Sequence, residues 1–211
     1  MLRSYFQFLA YDNNQSYLRR CNKRHSRSFV QGFLKLHYAW TTVGNISVTD
    51  VEGAGQTASG SAGGLVMHAT SPGRGASPIA YTPGFDRSDA DWLSVDAGIV
   101  VGTGTTAVAP TDYQLATRIA DGTSSGKLEY FPCGGTNPTT SGTAGSFTLE
   151  RLFRNSSSGT ITINEVGVYS IERSSGNVGF PVCMIRDIVS PGFAVLNGEY
   201  MRIIYTITVT A

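Results

Sequence analysis

Ile99-Val100-Val101-Gly102-Thr103-Gly104-Thr105-Thr106-Ala107 is a short apolar run followed by Gly-x-Gly-x-x-Ala, the outline of a dinucleotide-binding fingerprint. That chemistry needs a helix N-terminus behind the glycines to receive the pyrophosphate. Val108-Ala109-Pro110-Thr111-Asp112 follows instead, and Pro110 breaks a helix in its second turn. Nucleophilic catalysis needs a serine or cysteine beside a histidine base. The three histidines are His25, His37 and His68; the first two lie in a basic stretch, and no carboxylate adjoins the third. No His-Glu-x-x-His, paired-His or Cys/His cluster is present, so no transition metal is expected. Asp86, Asp89, Asp91 and Asp96 cluster without the residue order of a calcium loop. A carboxylate pair for glycoside hydrolysis forms only in space and leaves no local signature. The expectation is a non-enzyme with no cofactor and no metal.

Two charged residues fall within strand patterns. Glu165 shares an alternating face with Ile161 and Ile163, and Arg186 lies in Met184-Ile185-Arg186-Asp187-Ile188-Val189. A carboxylate on an apolar face must be paired, and Arg151, Arg186 or Arg202 can supply the partner. A structural ion pair between Glu165 and Arg186, fixing strand register, is the reading preferred over a ligand site.

The elements that would hold these residues are strands. Residues 97–101, 146–153, 160–169, 184–189 and 200–210 alternate or run apolar between Gly, Pro and Asn punctuation, with no helical intervals. The 211 residues include 25 glycines, and only 15% are charged, which suits exposed β faces and turns better than helix surfaces. The fold class expected is all-β, a β-sandwich or jelly roll occupying residues 97–211. Residues 41–96 read as a loop-rich extension with one strand near 46–51. No run of 18 apolar residues occurs, so no membrane-spanning helix is expected. The opening residues read as mature protein, because Gln7 interrupts the apolar run and Asp12-Asn13-Asn14 replaces a signal cleavage site. Cys21, Cys133 and Cys183 form no Cys-x-x-Cys pair and indicate no disulfide framework.

Charge is uneven. Residues 1–40 hold seven basic side chains against Asp12 alone, while the rest is net acidic. These residues read as a basic docking arm carrying Arg19, Arg20, Lys23, Arg24 and Arg27, with an amphipathic helix over 29–40 that buries Phe29, Phe33 and Leu36. No base-stacking pattern accompanies the charge, so the expected partner is protein and not nucleic acid.

The order Gly98-Ile99-Val100-Val101-Gly102-Thr103-Gly104, Asp112-Tyr113-Gln114-Leu115, Arg151-x-Phe153-x-Asn155, Glu165-Val166-Gly167-x-Tyr169, Arg186-Asp187 and Gly198-Glu199 resembles small β-sandwich structural proteins of tailed-bacteriophage virions. The likeness covers roughly the last half of the chain and is built of short pieces. It implies a virion component of head, neck or tail, assembled in the host cytoplasm, homo-oligomeric and docked through residues 1–40 to other virion proteins. Closed rings or trimers would be expected. The rival is a carbohydrate- or receptor-binding sandwich at a phage fibre or tail tip, with loop aromatics such as Tyr81 and Trp92, and also Phe85 and Tyr130, stacking on ligand.

Overall fold

The computed structural model describes residues 2–12, 18–26, 28–42, 45–59, 96–136, 138–173 and 179–210. Strands β1 (Leu2–Tyr11), β2 (Leu18–Ser26), β6 (Glu129–Gly135), β7 (Thr139–Ser141), β8 (Ala144–Arg154) and β11 (Tyr200–Thr210) form one antiparallel sheet. Its order is β2-β1-β11-β8-β6, with β7 beside β8. Strands β5 (Gly98–Gly102), β9 (Ile161–Arg173) and β10 (Gly179–Val195) form a second, in the order β10-β9-β5. Helix α1 (Gln31–Thr42) packs against β10 and against a hairpin of β3 (Asn45–Thr49) and β4 (Gly55–Ser59). The architecture is all-β, and no helix among the described residues is long and apolar enough to cross a membrane.

One hydrophobic cluster joins the two sheets. Phe8 of β1 stacks on Phe193 of β10 with ring centroids 5.0 Å apart. Tyr205 of β11 donates its hydroxyl to Asp187 of β10 at 2.6 Å. Arg151 of β8 reaches the Ile99 carbonyl of β5 at 2.7 Å, and its guanidinium lies over the Tyr130 ring. Arg151 therefore sits on the inner face with Leu149 and Phe153, as its alternation in the sequence requires.

The N-terminal segment differs from the expected arm. β1 pairs along its whole length with β11, and Phe6, Phe8 and Ala10 are buried in the core. Its apolar residues fill both alternating sets, so the period-2 signature of a strand is blurred and the run looks like a leader. The helix also begins later than its periodicity predicts. Phe29 bridges Ile185, and the Val30 amide donates to the Met184 carbonyl, so the chain stays extended until Gln31. Gly32 then lets α1 approach β10 closely, because a Cβ there would overlap the Cys183 carbonyl oxygen. The sequence reading also leaves out β2, β4, β6 and β7, of which β6 is the instructive case. Pro132 argues against a central strand, and the chain accommodates it in a register shift between Tyr130 and Cys133.

Phe8 is fully buried at the junction of the sheets, so Phe8→Ala should lose about 3–5 kcal/mol of stability in urea unfolding. Leu34→Ala on α1, at a site 65% exposed, should stay within about 0.5 kcal/mol. Equal losses for the two would show that β1 is not part of the cooperative unit.

Candidate functional site

The chemistry-bearing residues converge on Glu165, which is wholly buried in the middle of β9. Its Oε1 accepts from the Gly104 amide at 3.1 Å and the Thr117 amide at 2.7 Å. Its Oε2 accepts from the Ala116 amide at 3.0 Å and from Arg186 Nε at 3.0 Å. Three backbone N–H groups and a guanidinium thus surround one carboxylate, an arrangement like the amide nests that hold phosphate. Here the anion is a side chain of the protein itself.

This explains the Gly-x-Gly after β5. A Cβ at Gly102 or at Gly104 would overlap Glu165 Oε1, so both positions require glycine for the backbone to pass over the carboxylate. The stretch that imitates a dinucleotide fingerprint is a cradle for an internal carboxylate. The 103–117 segment folds back over β9, where Leu115 packs on Gly167 and the Leu115 amide donates to Tyr169 Oη at 2.7 Å.

Arg186 completes the site. Beyond Glu165, its Nη1 bonds Asp112 Oδ2 at 2.5 Å and its Nη2 donates to the Thr106 carbonyl at 2.8 Å. Burial alone would lower the guanidinium, but the hydrogen bonds and charges of Asp112 and Glu165 outweigh it and hold Arg186 above its ordinary value. The Arg186 amide also donates to the Ser28 carbonyl, while Pro110 and Thr111 carbonyls receive the Gln31 amide and side chain. One ion-paired centre therefore fixes β5, β9, β10, the 103–117 segment and the entry to α1. The sequence pairing of Glu165 with Arg186 is brought together at bonding distance; Asp112 is the member that spacing alone does not reveal.

The residues assigned to a docking arm are distributed through the body. Arg19 and Arg20 fall in β2. Lys23 is exposed, with its Nζ 3.8 Å from the Tyr5 ring centroid. Arg24 donates to the Ser190 and Pro191 carbonyls of β10. Phe29 and Phe33 pack on each other with centroids 4.5 Å apart, and Leu36 is fully buried. Arg27, Tyr81, Phe85, Trp92 and His68 lie outside the described residues. Tyr130, read as an exposed stacking residue, is instead 2% exposed and donates its hydroxyl to the Ile119 carbonyl at 2.7 Å.

Cys133 and Cys183 are free and buried, and burial pushes both thiols up, which disfavours the nucleophilic thiolate at neutral pH. Among the described residues no group of three His, Cys, Asp or Glu could hold a metal ion. Near the end of β9, burial pushes the Glu172 carboxyl up to about 7, opposed by a hydrogen bond from Ser170 Oγ at 2.8 Å. Comparisons with protein-family models, curated proteins and solved structures found no match to this chain.

Removing the carboxylate in Glu165→Ala should cost about 3–5 kcal/mol, because Arg186 and three amides lose their anion. Formate at ten times its dissociation constant should restore roughly 1.4 kcal/mol, while chloride at equal ionic strength should not. Indistinguishable urea curves in the two salts would refute the cradle. For Glu172, the folded state holds its proton more tightly than the unfolded state. Its contribution is therefore complete below pH about 4.5 and is lost as pH rises through about 7. Wild-type stability should fall by up to about 3 kcal/mol over that window, and Glu172→Gln should flatten this fall. An unchanged pH profile in the variant would remove Glu172 as the cause.

Proposed function

We propose that the chain is a structural subunit of a tailed-bacteriophage virion, a self-associating β-sandwich that contributes to the head, neck or tail and performs no catalysis. One observation carries the reading. The residues that resemble those virion proteins are engaged inside the fold and hold its backbone. Glu165, Arg186 and Asp112 form the buried centre. Asp187 receives Tyr205 from the facing sheet. Asn155 donates to the Gly159 and Val195 carbonyls at 2.8 Å, and Glu199 accepts the Leu196 amide at 2.8 Å, tying two turns together. A likeness made of such residues is a likeness of architecture, and the proteins that carry it serve assembly.

Residues 1–40 supply two strands and most of α1, so deleting them would remove core and not merely a tether. The test must use the whole chain. Particles from the source culture, purified on a density gradient and digested, should yield peptides of this chain at a fixed ratio to the major particle protein. Immunogold labelling should then place it on head, neck or tail. Recovery of the chain only from the soluble lysate, with none in particles, would overturn the proposal.

A further inference from the structure

Asn197-Gly198, between β10 and β11, is the only Asn-Gly pair in the sequence. That pair is the reactive one for intramolecular imide formation. The glycine nitrogen, once deprotonated, attacks the asparagine side-chain carbonyl, and no Cβ hinders its approach. Here the pair forms a tight turn: the Glu199 amide donates to the Leu196 carbonyl at 3.0 Å, and Gly198 has a φ of 82°. Asn197 is exposed to solvent. The nitrogen that would attack it is engaged, because the Gly198 N–H donates to the Asn155 carbonyl at 2.7 Å. That carbonyl is itself fixed. Asn155 is wholly buried, its N–H donates to the Glu199 carbonyl at 3.0 Å, and its side chain donates to the Gly159 and Val195 carbonyls. The Leu196 amide donates to Glu199 Oε2 at 2.8 Å, so both arms of the turn are held.

We propose that Asn197 is a site of covalent self-modification, locked by the Asn155 carbonyl, whose reaction reports opening of the β10–β11 turn. The inference does not rest on the virion-subunit reading. Its only co-reactant is water. The Gly198 nitrogen gives up its proton and bonds to Asn197 Cγ, and the side-chain nitrogen takes up that proton and leaves as ammonia. Water then opens the resulting imide at either carbonyl, giving an aspartyl or an isoaspartyl linkage. While Gly198 donates to Asn155 the first step is blocked. Removing the proton breaks a good hydrogen bond and sets a negative nitrogen against a carbonyl oxygen. The reaction therefore passes through states in which the turn has left Asn155. Its products do not restore the turn, since the isoaspartyl linkage lengthens the backbone by a carbon. Either product also adds a carboxylate two positions before Glu199, which is buried.

The test holds the full chain in mildly alkaline buffer, folded or in guanidinium chloride. Mass spectrometry after acidic digestion follows deamidation of the Asn197 peptide, and hydrogen exchange reads the Gly198 amide in the same buffer. The folded chain should deamidate at Asn197 at least about a hundredfold more slowly than the unfolded chain, with Gly198 exchange slowed by a similar factor. Asn155→Ala removes the bonds to Gly159 and Val195 that fix the carbonyl. It should speed both processes about tenfold or more while circular dichroism remains that of the folded chain. If the variant fails to fold, the two wild-type rates decide. Equal deamidation in folded and unfolded chains overturns the lock. Slow deamidation beside fast exchange at Gly198 places the protection elsewhere and also overturns it. So does a folded Asn155→Ala chain with both rates unchanged.

Discussion

The carboxylate of Glu165 has to be buried, and much of the structure follows from meeting that requirement. A carboxylate without partners in a protein interior costs several kcal/mol, so the chain must bring donors to it. Three of its four donors are backbone amides from Gly104, Ala116 and Thr117, which only a 103–117 segment folded across β9 can supply. The fourth, Arg186, is itself buried and needs its own acceptors, which draws in Asp112 and the Thr106 carbonyl. Satisfying one group therefore recruits a loop and a neighbouring strand. The glycines at 102 and 104 are the steric condition for that recruitment.

A centre of this kind is weak evidence for added stability, since apolar residues of equal volume often do as well. What it supplies is a fixed geometry. Irregular segments such as 103–117 lack the repeating hydrogen bonds of a ladder, and a half-satisfied polar network inside a core is costly. Glu165 and Arg186 give that segment a single low-energy path. Asn155 and Glu199 do the same for the β8–β9 and β10–β11 turns, where the Asn155 amide also meets the Glu199 carbonyl. At these places the backbone conformation depends on a particular side chain and not on apolar burial alone.

The same distinction explains what the sequence reveals. β8, β9 and β11 are legible because their alternation is long and bounded by turns, and the burial of Glu165 follows from its position among Ile161, Ile163 and Tyr169. Its pairing with Arg186 follows from charge and strand context. The three amides are not legible, because they meet Glu165 from 48 to 61 residues away through a loop without periodicity, and Asp112 meets Arg186 from 74 residues away. β1 is hidden for another reason. With apolar residues on both faces it loses the alternation that marks a half-buried strand, and its neighbour β2 is so basic that both look like an arm.

That basic strand also has a physical consequence for the sheet it belongs to. Among the described residues β2 ends the strand order of the six-stranded sheet, and the end strand of a sheet is where an extended chain can add. Lysine and arginine along an edge strand oppose such pairing, most strongly with a second identical edge. Arg19, Arg20, Lys23 and Arg24 all fall in this strand, where indiscriminate edge-to-edge growth would otherwise begin. An open edge also specifies register weakly, because a slip along it leaves every backbone hydrogen bond available, whereas β1, held between β2 and β11 with Phe6, Phe8 and Ala10 in the core, cannot slip without turning them out.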